Sequence, residues 1–413
     1  MGVVSPLGNS VERFWSGLIQ GESGIRELSR IDCSDLPCRI GGQVEGLEEP
    51  PGAIGEAANW RRMDRASRFA VAATSEAIRQ AGLKAEHCRD SAVVIGSGLS
   101  GLETLQEQTS VMLERGPGRV SPYTIPLLMP NAAPANVSLA FGIRGPAWTV
   151  SGACSSSGIA IVEAAEAIRS GRFHRVIVGG TESSLTRLGI ASFCRMGAMT
   201  KTGNNDPAAA MKPFDRNRDG MVMSEGAGVL VLESERSVDE REARVLAEVS
   251  GWATVSDAHH LVAPDPEALG LTNAIRQSLQ QANVAPEAIA PGLYINAHGT
   301  ATPVNDETET RAFHSVFGAT ADQLQISSTK SMTGHMIGAA GAVEAIACVK
   351  ALQTGVMPPT INLANQCPNC DLDYIPSSSR QSPVVAAMST SIGFGGHNVS
   401  LVFARSSGRA DLT

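Results

Sequence analysis

Three runs of apolar, largely β-branched residues, each with glycine at an end, constrain the fold of this chain more than any other feature. They lie at residues 92–97, 175–180 and 228–233. Their hydrophobicity is continuous rather than alternating, which is typical of strands that are buried on both faces. Helical periods accompany them, at residues 67–82, 159–171, 270–282, 307–317 and 339–354. Strands that alternate with helices predict an α/β protein built in layers.

The chain is predicted to consist of two halves, residues 1–240 and 241–413. The boundary falls in a highly charged stretch at residues 233–244, which we expect to be a surface connection. The second half repeats the first half's order of predicted elements: a strand, a helix, a strand, a glycine-rich turn and then a helix at Gly338. A duplicated core is therefore expected. Residues 116–134 are rich in proline and glycine, which favours irregular structure, and we expect a pocket wall or an oligomer interface there.

The composition argues against several classes of protein. With 413 residues and a formal net charge of -8, the chain lacks the basic character of a general nucleic-acid binder. No run approaches about 18 uninterrupted apolar residues, so no membrane-spanning helix is expected. Residues 1–9 show no secretory leader pattern, and we therefore expect a cytoplasmic protein.

The eight cysteines are scattered along the chain and are expected to be reduced thiols of a cytoplasmic enzyme. Cys367 and Cys370 have the spacing of half a zinc or redox motif, but no second half accompanies them, so no metal site is predicted. Cys154 is different, because it stands among small residues directly before the helical period at 159–171. A helix N-terminus favours the thiolate, and the small neighbours leave the sulfur uncrowded for nucleophilic attack. This segment alone does not distinguish a nucleophile from a buried structural thiol.

Three segments of the second half are built like active-site loops. His298 follows the apolar run at 293–295 and precedes Gly-Thr-Ala-Thr-Pro, a position where loops often carry functional residues. The alternative is a structural histidine that forms hydrogen bonds with the loop backbone. Lys330 and His335 precede an almost wholly apolar helix whose one acid is Glu344. A buried lysine beside that helix requires a partner, so Lys330 and Glu344 are expected to pair, as part of the site or as scaffolding.

The third segment is the glycine-rich loop at residues 391–398, with Phe394 between glycines. Exposed N–H groups and a mobile aromatic ring suit an oxyanion hole with a gate, while a plain hairpin connection is the simpler alternative. Together the segments supply one thiol, two histidines, a lysine with an acid, and a donor loop. Such a set fits thioester transfer followed by carbon–carbon bond formation better than it fits a thiol protease or a simple acyltransferase.

At this point the chain resembles the β-ketoacyl-acyl carrier protein synthases of the condensing-enzyme, thiolase-like superfamily, and within it the bacterial elongation enzymes. The resemblance extends over nearly the whole chain and is carried by the motifs at residues 2–8, 212–220, 358–363 and 393–396. It implies a five-layered αβαβα fold made of two similar halves, and a homodimer. It also implies decarboxylative condensation of an acyl thioester with malonyl-carrier protein, without metal or diffusible cofactor, since the phosphopantetheine arm arrives on the acyl carrier protein.

The resemblance also implies roles for individual residues. Cys154 accepts the acyl chain, and the backbone N–H groups of Cys154 and Phe394 form the oxyanion hole. His298 and His335 assist decarboxylation and stabilise the enolate. Further expected roles are scaffolding by Lys330 and Glu344, gating by Phe394, binding of the arm by Thr300 and Thr302, substrate binding by Gly395, and lining of the acyl pocket by Leu99 and Thr124.

The carrier proteins of this family are acidic, so a basic docking face is expected despite the net negative charge. The arginines near the start of the first long helix are candidates, with a solvated helix face as the alternative: Arg61, Arg62, Arg65 and Arg68.

Some positions depart from the pattern of the family. Val262 lies where a threonine of the arm channel is expected, and relatives usually have several more residues before the first strand. The serines after Cys154 resemble the polyketide synthases, whereas residues 328–341 resemble the fatty-acid enzymes. Fatty-acid elongation and a polyketide or other secondary-metabolite pathway therefore both stay open.

Two other members of the superfamily are alternatives. A non-catalytic chain-length-factor-like partner would have its nucleophile replaced, and the presence of Cys154 with His298 and His335 argues against it. A thiolase would carry a second catalytic cysteine near the glycine-rich loop, and residues 393–398 contain none.

Overall fold

A computed structural model describes residues 1–50 and 58–406 of the chain. Residues 407–413 of the predicted second half and residues 51–57 of the first lie outside the described residues. Within the described part, the strands in chain order are β1 Gly2–Val4, β2 Arg26–Glu27, β3 Ile40–Gly41, β4 Ala92–Gly96, β5 Ala147–Val150, β6 Arg175–Glu182, β7 Gly226–Glu233, β8 Glu248–Ser256, β9 Leu293–Asn296, β10 Gln325–Ser327, β11 Val356–Met357, β12 Arg380–Gln381, β13 Ala386–Gly393 and β14 His397–Ala404.

The α-helices of the described residues are α1 Val11–Gln20, α2 Arg65–Gln80, α3 Ala85–Arg89, α4 Leu102–Arg115, α5 Thr124–Leu128, α6 Ala132–Phe141, α7 Ser156–Arg169, α8 Arg187–Met196, α9 Glu235–Glu240, α10 Leu269–Gln281, α11 Pro286–Ile289, α12 Asn305–Phe317, α13 Lys330–Thr333 and α14 Ala340–Thr354. Short 3-10 turns connect several of them. Two of these turns, Ala153–Ser155 and Ile337–Ala339, immediately precede α7 and α14.

Two five-stranded mixed sheets have the same topology. The first has the order β1-β7-β6-β4-β5, and the second has the order β10-β9-β13-β14-β8. The five strands of each sheet can be numbered 1 to 5 in chain order. Each sheet, read from the edge that holds its strand 1 (β1 or β8), then has the order 1-5-4-2-3. In both, the first three strands are antiparallel neighbours and the last three are parallel neighbours. This repeated topology confirms the expected fold of two similar halves.

Helices lie outside and between the sheets, which gives five layers. Helices α2 and α6 pack on the outer face of the first sheet, and α10 packs on the outer face of the second with α12 beside it. Helices α7 and α14 lie between the two sheets and contact both. Where α7 and α14 meet, a Cβ at Gly341 would stand only 3.0 Å from the backbone nitrogen of Gly158, so glycine permits this close packing.

The three continuous apolar runs form β4, β6 and β7, and the five helical periods form α2, α7, α10, α12 and α14. The first residues of these helices lie between three positions before and one position after the predicted starts. Helix α2 begins at Arg65 because the Asp64 carboxylate accepts hydrogen bonds from the N–H groups of Ala66 and Ser67 and so caps it. Helix α7 begins at Ser156, because small polar residues form its first turn.

Two connections contain more helix than the sequence predicted. The charged stretch at 233–244 holds α9, which begins because the Ser234 hydroxyl caps the N–H of Ser237. The stretch at 116–134 contains α5 and the start of α6. Pro134 is tolerated there because the first turn of a helix needs no N–H donor from it.

One helical segment, Ile337–Thr354, is long and apolar enough to cross a membrane by length and composition, and 83% of it is buried inside the protein. It comprises α14 and the turn before it. Its apolar surface is therefore matched by the two sheets that enclose it.

Candidate active site

Cys154 lies in the 3-10 turn directly before α7 and is buried, with 5% of its surface exposed. The preceding residue, Ala153, has a φ of +51°. An alanine in this left-handed region is strained by about 1–2 kcal/mol, so the surrounding packing must hold the turn in place. This backbone kink carries the thiol to the N-terminal end of α7, as the sequence predicted.

The three serines after Cys154 fix its loop through their hydroxyls. Ser155 donates to the carbonyl of His397 at 2.7 Å, which ties the turn to the glycine-rich loop. Ser156 donates to the carbonyl of Ala153 at 2.7 Å. The Ser157 hydroxyl accepts the N–H of Ala342 in α14 at 2.9 Å. The serine run thus braces the nucleophile against both neighbouring elements.

The thiol faces two imidazoles from different loops of the other half. Sγ of Cys154 and one ring nitrogen each of His298 and His335 lie within 4.8 Å of one another. The two rings meet edge to face at 5.3 Å between centroids, and both are buried. Both ring nitrogens of His335 lack a hydrogen-bond partner within the described residues. The histidines are therefore available to a group bound beside the sulfur.

Lys330 connects this centre to a buried acid. Its ammonium group forms an ion pair with Glu344 and lies 3.3 Å from Nδ1 of His298. Both side chains of the pair are almost completely buried. Burial raises the pKa of Glu344 to about 7, and the Lys330 charge offsets part of that rise. The expected Lys330–Glu344 pair is present, and its ammonium contacts His298.

The environment keeps both imidazoles neutral. Burial lowers the pKa of His298 well below its ordinary value, and the Lys330 ammonium lowers it further. The same two causes lower the pKa of His335. Neutral imidazoles donate one N–H each and bring no charge into the pocket.

The thiol does not have the low pKa that a helix N-terminus suggests. Burial raises the pKa of Cys154 to about 12, although the Lys330 charge and the Phe394 N–H both favour the thiolate. Desolvation of a sulfur enclosed among apolar side chains outweighs these effects. The expectation that the helix N-terminus favours the thiolate is therefore wrong for Cys154.

The glycine-rich loop closes the other side of the thiol. Its residue Gly393 lies so near the nucleophile turn that a Cβ would stand 2.5 Å from the carbonyl oxygen of Gly152. The backbone N–H groups of Phe394 and Cys154 both act on the sulfur. The half-buried Phe394 ring stacks on Phe193, with 6.3 Å between the centroids. The two expected oxyanion donors are thus together, and the aromatic ring borders the thiol pocket.

Thr300 and Thr302 lie on the loop that follows His298, and their hydroxyls are 3.0 Å apart. Arg218 holds this loop from outside, since its guanidinium donates to the carbonyls of Thr302 at 3.2 Å and Pro303 at 2.6 Å. The Gly220 N–H donates to the carbonyl of Ala301, which has a φ of +60°. The motif at residues 212–220 therefore supports the loop that carries the two threonines.

Sequence reasoning missed two buried carboxylates that position the site. Glu309 accepts the backbone N–H of His298 at 2.7 Å and that of Gly299 at 2.9 Å, and burial raises its pKa to about 7. It was missed because it lies in the polar first turns of α12, where the sequence resembles a solvent-exposed helix face. Glu182 accepts hydrogen bonds from the backbone N–H groups of Gly98, Leu99 and Gly338. Its position at the end of a buried strand was the signal that could have found it.

The residues predicted to line the substrate channel are less uniformly placed. Leu99 is 36% exposed and follows Gly98, where a Cβ would lie 3.3 Å from the carbonyl oxygen of Ala153. Val262 is half-buried, one residue after Leu261, whose carbonyl accepts the N–H of Gly395 at 2.7 Å.

Thr124 begins α5, which packs on α4. Its hydroxyl donates to the carbonyl of Ser121 at 2.7 Å. Its role in the acyl pocket stays a prediction.

The four arginines of the predicted docking face divide into two pairs. Arg61 and Arg62 are exposed. Arg65 is held internally, because it donates to the carboxylate of Glu225 at 2.9 Å, and Arg68 donates to the carbonyl of Trp60 at 3.0 Å. The guanidinium groups of Arg65 and Arg68 thus serve the structure, whereas Arg61 and Arg62 are exposed and Arg62 donates to the Tyr123 hydroxyl at 2.7 Å.

A thiol and two imidazoles are also ligand types for zinc. Here the Lys330 ammonium stands 3.3 Å from Nδ1 of His298 and adds positive charge beside these three side chains. The arrangement suits an anionic intermediate better than a cation.

A buried thiol at a kinked helix start, two neutral imidazole donors and paired backbone N–H groups on a duplicated αβαβα fold define a thiolase-fold acyl-transfer enzyme. Residues 1–237 match the family model of the β-ketoacyl synthase N-terminal domain, and residues 246–364 match that of the C-terminal domain. The chain belongs to the β-ketoacyl synthase family.

Relatives agree over the full length. The 3-oxoacyl-[acyl-carrier-protein] synthase 2 of Synechocystis sp. is 42% identical over 98% of this chain and 96% of its own. The ishigamide ketosynthase/chain length factor superposes with a TM-score of 0.89 at 32% identity, and covers 98% of both chains. A type II polyketide ketosynthase in complex with its acyl-carrier protein also has a TM-score of 0.89, at 29% identity and 98% coverage of both chains.

Proposed function

We propose that this enzyme is a β-ketoacyl-acyl carrier protein synthase that extends acyl chains in fatty-acid elongation. The observation that carries the proposal is the convergence of the Cys154 sulfur with the nitrogens of His298 and His335 within 4.8 Å. A nucleophile with two neutral donors at that distance serves both an acyl-enzyme and an enolate.

In the first half-reaction, the Cys154 sulfur attacks the thioester carbonyl of an acyl-carrier protein. The carbonyl oxygen becomes an oxyanion, and the N–H groups of Cys154 and Phe394 are placed to receive it. The bond to the arm sulfur breaks, the arm leaves as a thiol with the proton that Cys154 gave up, and the acyl group stays on Cys154. Because burial raises the pKa of the thiol, deprotonation accompanies substrate binding rather than preceding it.

In the second half-reaction, malonyl-carrier protein loses carbon dioxide and leaves an enolate. His298 and His335 donate hydrogen bonds to the enolate oxygen, and their neutral state spares the pocket a buried charge. The enolate carbon attacks the acyl carbonyl on Cys154. The carbon–sulfur bond then breaks, β-ketoacyl-carrier protein leaves, and the Cys154 thiolate takes up a proton from solvent. Lys330, Glu344 and Glu309 act as positioning residues in this scheme.

The carrier protein is the proposed macromolecular partner. Arg61 and Arg62 are exposed and basic, and Arg62 also contacts the Tyr123 hydroxyl at 2.7 Å, which links this patch to the stretch at 116–134. We assign docking to Arg61 and Arg62, and binding of the arm to Thr300 and Thr302. No diffusible cofactor enters the proposed reaction, and the proposed location is the cytoplasm.

The proposal includes a homodimer divided, within each chain, into halves at residues 1–240 and 241–413. Helices α4 and α5 expose large apolar side chains, among them Leu113 at 76% and Ile125 at 63%. Strand β5 forms one edge of the first sheet. A second copy would cover this apolar face. Leu113→Glu should yield a monomer in light scattering, and a wild-type monomer would contradict the proposal.

A polyketide pathway is the second candidate, and the serine run after Cys154 together with the structural likeness to a polyketide ketosynthase favours it. The two are distinguished by the acyl group that loads. Acyl-carrier proteins of increasing chain length and a β-ketoacyl-carrier protein should be offered with malonyl-carrier protein, and the carrier products should be weighed. We expect condensation of saturated acyl chains, and a product formed from the β-ketoacyl donor alone would show the polyketide reaction. Failure of all donors would contradict the proposed function.

A further inference from the structure

Cys367 and Cys370 are the first and fourth residues of a surface β-turn that the reaction does not use. The N–H of Cys370 donates to the carbonyl of Cys367 at 2.8 Å. Pro368 and Asn369 occupy the central positions, and proline is favoured at the first of them. A β-turn brings the Cα atoms of its end residues within about 7 Å, and a disulfide spans about 4.4–6.8 Å between Cα atoms. The Cα separation of a β-turn thus overlaps the range that a disulfide requires.

Both thiols face the same side of α12. Sγ of Cys367 donates to Oε1 of Glu307 at 3.6 Å, and the Cys370 thiol bonds with the side chain of Thr310. Glu307 and Thr310 are three residues apart, so they are neighbours on one face of the helix. Both sulfurs therefore contact side chains on one face of α12.

The two thiols differ in their exposure to solvent and in the charged groups beside them. Cys367 is 8% exposed in a turn whose central residues are exposed, whereas Cys370 is fully buried. The Arg218 guanidinium contacts the Cys367 side chain. Cys367 is thus the thiol nearer to solvent, from which an oxidant arrives. Cys367 is therefore suited to react first and Cys370 to resolve the product.

A metal is the other use of two such cysteines. Among the residues that the structure describes, the one group of three or more ligand side chains with converging donor atoms is Cys154 with His298 and His335. A structural zinc site takes four ligands. Cys367 and Cys370 fall short of that number, so disulfide chemistry is the better account.

We propose that Cys367 and Cys370 form a redox modification site that closes to an intramolecular disulfide with peroxide as the oxidant. The Cys367 thiolate attacks one peroxide oxygen and becomes a sulfenic acid, and hydroxide leaves. The Cys370 thiol then attacks that sulfur, the sulfur–sulfur bond forms, the sulfur–oxygen bond breaks, and water leaves. Overall the dithiol gives up two electrons and two protons, and the peroxide is reduced to two molecules of water. A dithiol reductant reverses the step by exchange.

The disulfide has a route to the substrate loop. Oxidation removes the thiol donor from Oε1 of Glu307, the same oxygen that Arg218 contacts at 2.8 Å. Arg218 also holds the carbonyls of Thr302 and Pro303. We expect the oxidised enzyme to show a KM for malonyl-carrier protein that is raised about threefold, the effect of weakening one hydrogen bond. This readout rests on the proposed function, whereas the mass readout below does not.

The test is to expose the full-length protein to graded hydrogen peroxide, unfold it in iodoacetamide, and map the peptides by mass. The peptide that contains Cys367 and Cys370 should lose both alkylation sites and two hydrogen atoms, and dithiothreitol should restore them. Cys367→Ser should abolish the change. Cys33 and Cys38 are the matched control pair, because they are equally buried at 6% and 0% but are not joined as the ends of one turn.

Two results would overturn the proposal. One is that Cys367 and Cys370 stay fully alkylatable at peroxide concentrations that oxidise Cys154. The other is that Cys367 proceeds to the sulfinic acid while Cys370 stays alkylatable, which would show that the sulfurs cannot meet. Simultaneous oxidation of the control pair would show general unfolding and would count against the site as well.

Discussion

The two central helices begin with the same backbone device and carry different chemistry. A 3-10 turn precedes each of them, and the first residue of each turn has a positive φ, +51° at Ala153 and +45° at Ile337. The second residue is Cys154 in one turn and Gly338 in the other. Cys154 and Gly338 therefore occupy equivalent places in the two halves.

The surroundings explain why only one of the two turns carries a reactive side chain. A Cβ at Gly338 would stand 2.3 Å from the backbone nitrogen of Gly98, and the Gly338 N–H donates to Glu182. The equivalent space beside Cys154 opens toward His298 and His335. The comparison shows that a helix N-terminus alone does not make a nucleophile. A reactive side chain also needs space at that position and hydrogen-bond donors opposite it.

The largest effect should come from removing the thiol. Cys154→Ala should lower the rate of condensation at least about 10⁴-fold, since the covalent step is lost. The thermal midpoint should change little, because alanine keeps the Cβ that this turn accommodates. Steady-state product formation and circular dichroism measure the two quantities. Turnover within tenfold of wild type would refute the nucleophilic role.

The other turn should show the opposite pattern, a loss of stability from a gain of one methyl group. Gly338→Ala should destabilise the fold by about 1–3 kcal/mol, because the new Cβ meets the Gly98 backbone. Gly118→Ala is the matched control, since a Cβ there has nothing within 4 Å. Urea unfolding of both variants measures the difference. Equal stability of the two would mean that the close packing at Gly338 is not needed.

The charge that acts on the thiol can be removed separately. Burial raises the pKa of Cys154 to about 12, and Lys330 lowers it. Because only the thiolate reacts, alkylation by iodoacetamide should keep rising with pH through 9, the ordinary pKa of a cysteine. Lys330→Met should slow alkylation at least about tenfold at each pH. A plateau below pH 9 in the wild type would contradict the buried thiol described above.

The smallest effect concerns the contact between the two helices. Ser157→Ala removes the acceptor for the Ala342 N–H and should cost about 1 kcal/mol in the free energy of unfolding. Ser110→Ala, on an exposed face of α4, is the control and should be nearly neutral. Chemical denaturation compares them. A Ser157 variant as stable as the control would show that the serine run serves only the thiol.

Much of this comparison was available from the sequence. Continuous apolar runs and helical periods predicted the layers, and the short motifs pointed to Cys154, His298 and His335, because local patterns of small residues and glycine are visible without a structure. The duplicated strand order was only suspected, since the halves share topology rather than residues.

The rest depends on burial, which a sequence does not display. Glu309 and Glu182 read as ordinary acids until their enclosure is known. The same holds for Arg65, whose guanidinium is used internally by Glu225. The predicted thiolate at Cys154 failed for the same reason, because desolvation outweighs the helix N-terminus.

The central claim is that one half supplies the nucleophile and the other supplies the donors for the enolate. Intact-mass measurement of wild type, Cys154→Ala and His298→Ala, each mixed first with acyl-carrier protein and then with malonyl-carrier protein, tests it most directly. We expect the wild type to gain the acyl mass and then lose it, and Cys154→Ala to gain none. His298→Ala should load and then retain the acyl group. Acylation of Cys154→Ala, or discharge by His298→Ala at the wild-type rate, would contradict the account.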